Sequence, residues 1–300
     1  MLNLATLSLL LAVLLDVAAA VPAPAAAANI SLGSRLDRQY TGYVAQPLTA
    51  VEARSAGWFP MEFNAAPSDK CNRHVGSPWV FNKATPGTLS QDHPVILFYS
   101  AAGQISGIAV AIMGADGGSH AEWTEAMRAR GYLSDVYPTQ PDGTPIDTIT
   151  VGLRDVLPDR DLCDERTVFT EVLGTTLILN PAGPSNLKLE IPLSVDAANA
   201  EGYRRGSCFN GMGFHHFKDW KAENGTMSWK AANLVPVVPM YDLENGSINA
   251  IFFASAIVQQ SIFPPAENEW EPVPLPNELM CGNFCDADCT FAGTIAWSTM

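Results

Sequence analysis

Strand signals dominate the pattern of apolar and polar positions. Residues 94–99 form a short β-branched and aromatic run, and residues 105–113 form a second. The turn Ala102-Gly103-Gln104 separates them, which predicts a hairpin. Ile149, Val151 and Leu153 alternate with Thr150 and Gly152, as in a half-buried strand. Leu187, Leu189, Ile191 and Leu193 alternate with Lys188 and Glu190, and Pro192 places that strand at an edge or a bulge. Residues 168–173 and 175–179 read as a further pair hinged near Gly174. One helix is expected near 119–130. Ser119-x-x-Glu122 is a capping box, Trp123, Ala126, Met127 and Arg130 share a face, and Gly131 is a suitable stop. Residues 264–276 are acidic and proline-rich, a loop composition. Residues 21–60 lack clear periodicity and start with a Pro/Ala tract, so they read as an extended N-terminal arm. The fold class expected is mostly β with minor α.

The pattern also repeats. Pro94-Val95-Ile96-Leu97-Phe98-Tyr99 resembles Pro236-Val237-Val238-Pro239-Met240-Tyr241. Gly103-Gln104-Ile105-Ser106-Gly107-Ile108 resembles Gly246-Ser247-Ile248-Asn249-Ala250-Ile251. Further on, Thr148-Ile149 matches Thr294-Ile295; upstream, Cys71 matches Cys208. These correspondences predict two similar hairpin-centred halves, 61–200 and 201–300. Each alone would leave an apolar sheet face bare, and packing the two together would cover both. The first half runs on from Ile149 to Cys163, whereas the second stops at Met300, just after Ile295. That asymmetry predicts that the sequence is a fragment, truncated in its second half.

The N-terminus and the cysteines set the compartment. Leu9 to Leu15 is a short apolar core ended by Asp16, and Ala18 to Ala20 give a small-x-small cleavage site before Val21. Residues 1–20 therefore read as a signal peptide. The run is shorter than the roughly 20 residues that span a bilayer, so no membrane insertion is expected. Six cysteines follow: Cys71, Cys163, Cys208, Cys281, Cys285 and Cys289. An even number in an exported chain predicts up to three disulfides, with the pairing left open. Sequons at Asn29, Asn224 and Asn245 agree with a secreted glycoprotein. The formal charge of −14 repels phosphate backbones and anionic lipid, so no nucleic-acid partner is expected.

Candidate chemistry concentrates in residues 206–220, Gly-Ser-Cys-Phe-Asn-Gly-Met-Gly-Phe-His-His-Phe-Lys-Asp-Trp. Met212, His215 and His216 are a ligand set for copper or zinc. Adjacent histidines on a strand point to opposite sides, and Cys208 is expected in a disulfide, so a structural role weighs against ligation. Cys281-x3-Cys285-x3-Cys289 could hold a soft metal, but its compartment favours disulfides. Gly117-x-Ser119-x-Ala121 loosely echoes a nucleophile elbow, with Asp155 or Asp164 and His216 completing a triad. Against it, Ser119 already serves as a helix cap. The acidic loop of Asp159, Asp161, Asp164 and Glu165 lacks calcium-loop order and is neutralised by Arg154, Arg160 and Arg166. His74 and His93 stand alone in their neighbourhoods.

The segments 208–217, 235–253 and 298–300 resemble uncharacterised secreted proteins of invertebrates and protists, in which a Cys…Met-Gly-x-His segment precedes an aliphatic-Tyr hairpin. A histidine often follows the Ser-Thr-Met run in that group, and this sequence ends at that Met. The resemblance implies no activity, cofactor or catalytic residue. The function expected is extracellular binding of an unidentified ligand. The alternatives are a metal-dependent enzyme centred on His215 and His216, or an extracellular matrix or structural protein.

Overall fold

The computed structural model describes residues 31–33, 43–62, 70–82, 85–89, 95–112, 119–133, 147–154, 161–169, 174, 176–184, 187–209, 213–218, 221–223, 226–230, 235–242, 244–253 and 294–298. The signal segment, Asn29, Asn224, His93, Met212, Cys281, Cys285 and Cys289 lie outside them.

The fold is mostly β. Strands β1 (Ser31–Gly33) and β2 (Tyr43–Ala45) form an antiparallel pair. Helix α1 (Ala50–Ala56) follows. A seven-stranded antiparallel sheet then runs in chain order: β3 (Trp58–Pro60), β4 (Ser77–Phe81), β5 (Val95–Tyr99), β6 (Ile105–Ile112), β7 (Asp147–Gly152), β8 (Leu177–Leu179) and β9 (Leu189–Ile191). Helix α2 (Ser119–Ala129) lies between β6 and β7, and helix α3 (Val195–Ala200) follows β9. A second sheet contains β10 (Arg204–Phe209), β11 (Gly213–Phe217), β14 (Val237–Tyr241) and β15 (Ile248–Phe253) in that order. A third joins β12 (Lys221–Glu223), β13 (Thr226–Lys230) and β16 (Thr294–Ser298), with β13 and β16 parallel.

The central strands β5 and β6 are buried at every residue. Both faces of the sheet are covered, which is why these runs are continuously apolar rather than alternating. One face carries Trp58, Trp79, Leu97, Tyr99, Ile108, Ile149 and Val151, and the same cluster takes in Val235 and Val237 beside the second sheet. The other face packs Val80, Ile96, Phe98 and Ala109 against Met61, Val75 and Leu89 from the flanking loops. Each fully buried Ile, Leu or Phe contributes about 1.5–3 kcal/mol relative to exposure. These central strands therefore form the part of the sheet that positions everything else.

Several expectations hold and several need correction. Within the 94–99 and 105–113 runs, residues 95–99 are β5 and residues 105–112 are β6, paired as an antiparallel hairpin. Strand β9 sits at the edge of its sheet and stops one residue before Pro192, which has no N–H to donate to a ladder. Helix α2 ends as expected, with Gly131 at a φ of 74°. Residues 21–60, however, are not simply an arm. Thr49 caps α1 through a capping box with Glu52, Gly57 closes it in the left-handed region, and β3 follows. The 119–130 helix is also joined by two shorter ones, α1 and α3. The expected pair of 168–173 with 175–179 lies partly outside the described residues, at 170–173 and 175; within them, Leu177–Leu179 is β8, which pairs with β7 and β9. Leu177 and Leu179 can thereby reach the main core, whereas Val168 stays two-thirds exposed.

Candidate functional site

The chemistry-bearing segment folds as β11 between two neighbours. Its residues pair with β10 on one side, Arg205 opposite His216, and with β14 on the other, Phe214 opposite Tyr241 and His215 opposite Met240. Strand alternation sends His215 and His216 to opposite faces. Both are buried, at 5% and 1% exposure. His215 lies near the ring of Phe217, two positions along the same face.

His216 is the more unusual of the two. Its ring meets Tyr241 edge-on, with centroids 4.8 Å apart. Nδ1 lies 3.1 Å from the Phe214 carbonyl oxygen. A carbonyl only accepts, so Nδ1 carries the proton and Nε2 presents a bare lone pair in the neutral ring. That Nε2 is buried and has no hydrogen-bond partner among the described residues. Burial pushes the imidazole pKa below its ordinary value; the nearby Arg205 charge adds to this, and the Phe214 hydrogen bond works against it. The Arg205 guanidinium sits 3.3 Å from the centroid of the Phe214 ring, a cation–π contact.

The surrounding wall is built by α3 and the residues that flank it. Ser194 caps the helix by accepting from the Ala197 amide. Ala198, Tyr203 and Tyr241 then form one buried cluster, with Val195 and Ile248 packed against it. The Tyr241 hydroxyl donates to the Pro192 carbonyl at 2.7 Å. Burial drives its pKa well above the ordinary phenol value, so this hydroxyl keeps its proton. Lys218 lies over Tyr203 at 5.0 Å and reaches Glu201 at 3.6 Å.

Among the described residues, the expected copper or zinc ligands do not converge on one point. His215 and His216 face opposite ways on one strand, so they do not converge on one ion, and Met212 is not among the described residues. Among the described residues, no three His, Cys, Asp or Glu side chains form a metal-holding group. Of the remaining sequence candidates, Cys208 lies on the strand beside the histidines and the other described ones lie elsewhere. Cys71 and Cys163 form a disulfide across 92 residues, with a Cα–Cα distance of 5.8 Å. Cys208 lies on β10, opposite Phe214 in the ladder. Asn245 lies exposed in the turn between β14 and β15, where its side chain accepts from the Ser247 amide. Asp164 is bound by Arg166 through both carboxylate oxygens, which holds its pKa down to about 2. Asp161 accepts from the Cys163 amide, a local turn contact. Ser119 begins α2, and Asp155 lies outside the described residues. His74 is half-buried, and burial lowers its pKa.

The roles of two further groups were not legible in the sequence. Arg154 is buried; its Nε donates to the Ile105 carbonyl at 2.9 Å, and its guanidinium covers Phe169 at 4.7 Å. In the sequence it looked like a surface charge that neutralises an acidic loop. Tyr99 donates to the Pro47 carbonyl at 2.8 Å, a tie that only the fold brings together. Among the described residues, no helix is long and apolar enough to cross a membrane. Compared with known proteins, the chain matches no family model, no curated protein and no solved structure.

Proposed function

We propose that this disulfide-stabilised protein is exported and acts outside the cell by binding a ligand. The Cys71–Cys163 disulfide is the observation that carries the reading, because such bonds persist in oxidising compartments. The apolar core and small-residue cleavage pattern of residues 1–20 support the same address. The binding role is supported by how the reactive side chains are used. Tyr99 and Tyr241 tie loops to the sheets, Asp164 holds Arg166, and Asp147 holds Arg128. The two tyrosines and Asp147 are occupied in holding the fold, and Asp164 is occupied in a local surface ion pair. The acidic surface favours cationic ligands over nucleic acid or anionic lipid.

A metal-dependent role at His216 is the second reading. Nδ1 anchored to a backbone carbonyl with Nε2 left bare is the orientation common among metal-ligating imidazoles. One experiment separates the two. The protein is produced through a secretory route and dialysed, and its copper and zinc are measured for the parent and for His215→Ala/His216→Ala. The binding reading expects sub-stoichiometric metal in both proteins. Stoichiometric metal in the parent that disappears in the double variant would overturn it.

A further inference from the structure

Two parts of the chain follow the same plan in detail beyond a shared hairpin shape. Strands β5 and β6 pair from Val95↔Val110 to Tyr99↔Ile105, with a register shift between Phe98 and Tyr99. Strands β14 and β15 pair from Val237↔Phe253 to Tyr241↔Ile248, with a shift between Met240 and Tyr241. On the far side of each hairpin, Ser77 faces Tyr99 as Phe214 faces Tyr241. One strand further out, Pro60 faces Trp79 as Arg205 faces His216. Trp79 meets Tyr99 edge-on at 5.4 Å, the place that His216 takes against Tyr241. Gly76 and Gly213 share φ values of 96° and 93°, and a Cβ at either would strike the backbone carbonyl of the matched tyrosine.

The likeness extends to the preceding helix. Thr49 and Ser194 are the N-caps of α1 and α3. Gly57 and Gly202 follow these helices with φ of 94° and 86°. Ile105 donates to Leu48 at 2.9 Å as Ile248 donates to Leu193 at 2.8 Å. Ala50 donates to Gly103 at 2.9 Å as Val195 donates to Gly246 at 2.8 Å. The tyrosine hydroxyls reach Pro47 and Pro192, which stand just before the two helices. A turn and two β-branched runs specify a hairpin, but not a remote helix, its cap and a tyrosine bond to a particular proline carbonyl.

The copies differ at one edge. In the first, β6 pairs on its second side with β7, with Gly107 opposite Gly152 and Ile108 opposite Val151. In the second, β15 is an edge strand among the described residues, and so is β16. The β16 sequence Thr-Ile-Ala-Trp-Ser matches Thr148-Ile149-Thr150-Val151-Gly152 of β7 in its first two residues and in its place along the chain.

We infer that residues 46–112 and 191–253 are two copies of one folding unit, and that β16 closes the second copy by pairing antiparallel with β15. The register follows from the first copy: Ala250 opposite Ser298, Ile251 opposite Trp297, and Phe253 opposite Ile295. The start of the second unit then falls near residue 191, ahead of α3, rather than at 201. The union gives a seven-stranded sheet in the order β10-β11-β14-β15-β16-β13-β12, the same strand number as the first sheet. A strand at a sheet edge offers backbone N–H and C=O groups to a neighbouring strand, and β15 and β16 would each supply the other's neighbour. A strand of the same chain arrives at high effective concentration, which favours it over a strand from a second molecule.

Two measurements on the full chain test this. Directly opposed antiparallel residues have Cα atoms about 4.5–5.5 Å apart, within disulfide range. Ala250→Cys/Ser298→Cys, oxidised and mapped by peptide mass spectrometry, is expected to give a bond between the two introduced thiols within a monomer. A covalent dimer through these positions would mean that a second molecule takes the edge, and would overturn the inference; so would free introduced thiols in folded protein. The unsubstituted chain gives an independent check by hydrogen exchange. A strand paired on one side protects alternate amides, and one paired on both sides protects nearly all. Consecutive slow amides across 248–253 and 294–298 are expected, and fast exchange at alternate positions in both strands would overturn the pairing.

Discussion

Removal of a single hydroxyl at Tyr241 tests how the second sheet is held to α3. Tyr241 is 1% exposed, and its hydroxyl donates to the Pro192 carbonyl at 2.7 Å. Tyr241→Phe keeps the ring against His216 and removes only the donor. Pro192 is itself buried, so its carbonyl is left without that partner and largely out of water. Removing one member of a buried pair costs about 1–3 kcal/mol. Tyr99→Phe is the natural comparison, since Tyr99 donates to the Pro47 carbonyl at 2.8 Å. Pro47 is only half-buried, so water can replace the lost donor and the expected loss is nearer 1 kcal/mol. Urea unfolding followed by tryptophan fluorescence measures both. The expectation is a lower midpoint for each variant with an unchanged slope, and the larger drop for Tyr241→Phe. A Tyr241→Phe variant within about 0.3 kcal/mol of the parent, or a reversed order, would refute the reasoning.

Four more outcomes follow from the same contacts. Replacing Cys71 and Cys163 together by Ser reopens a loop of 92 residues, and chain entropy gives a loss of about 4–5 kcal/mol, read by the same unfolding curves. Arg128→Ala strips the partner from Asp147, which is 8% exposed; the half-exposed arginine limits the loss to about 1–3 kcal/mol, measured as a drop in Tm. His216 and His74 both have folded pKa values below 6.5, so the unfolded chain binds more protons and stability falls as pH drops through 6.5 toward the folded values. His216→Phe should flatten that slope between pH 7 and 5 and leave the part owed to His74, as followed by Tm against pH. Leu97→Ala, at a fully buried centre of β5, should cost about 2–5 kcal/mol in urea unfolding.

The sequence carried the long, strongly patterned elements. Residues 94–99 and 105–113 have β-branched character on both sides of a glycine turn, and the fold keeps them as a hairpin. Pro192 correctly pointed to an edge. Helix α1 was missed because seven residues give too short a window for helical periodicity. Thr49 and Glu52 nevertheless spell a capping box, and Gly57 sits where a left-handed stop belongs; this signal could have found it. Helix α3 is shorter still, marked locally by Ser194 at its cap, Asp196 in its first turn and Gly202 just after it. The pairing of Cys71 with Cys163 was not legible, since composition constrains the number of disulfides and not their partners. The parallel pairing of β13 with β16 is long-range and leaves no local trace. At the candidate site, sequence spacing correctly separated His215 from His216. It gave no hint that His216 Nε2 would be buried beside Tyr241, because Tyr241 lies 25 residues away and only the strand register brings them together.

The most direct test of export with disulfide stabilisation is peptide mapping of the protein collected from the medium of a secretory host, under non-reducing conditions. The account predicts a mature chain that begins near Val21 and carries a peptide in which Cys71 is joined to Cys163. Retention inside the cell with residues 1–20 still attached and free thiols at both cysteines would contradict it.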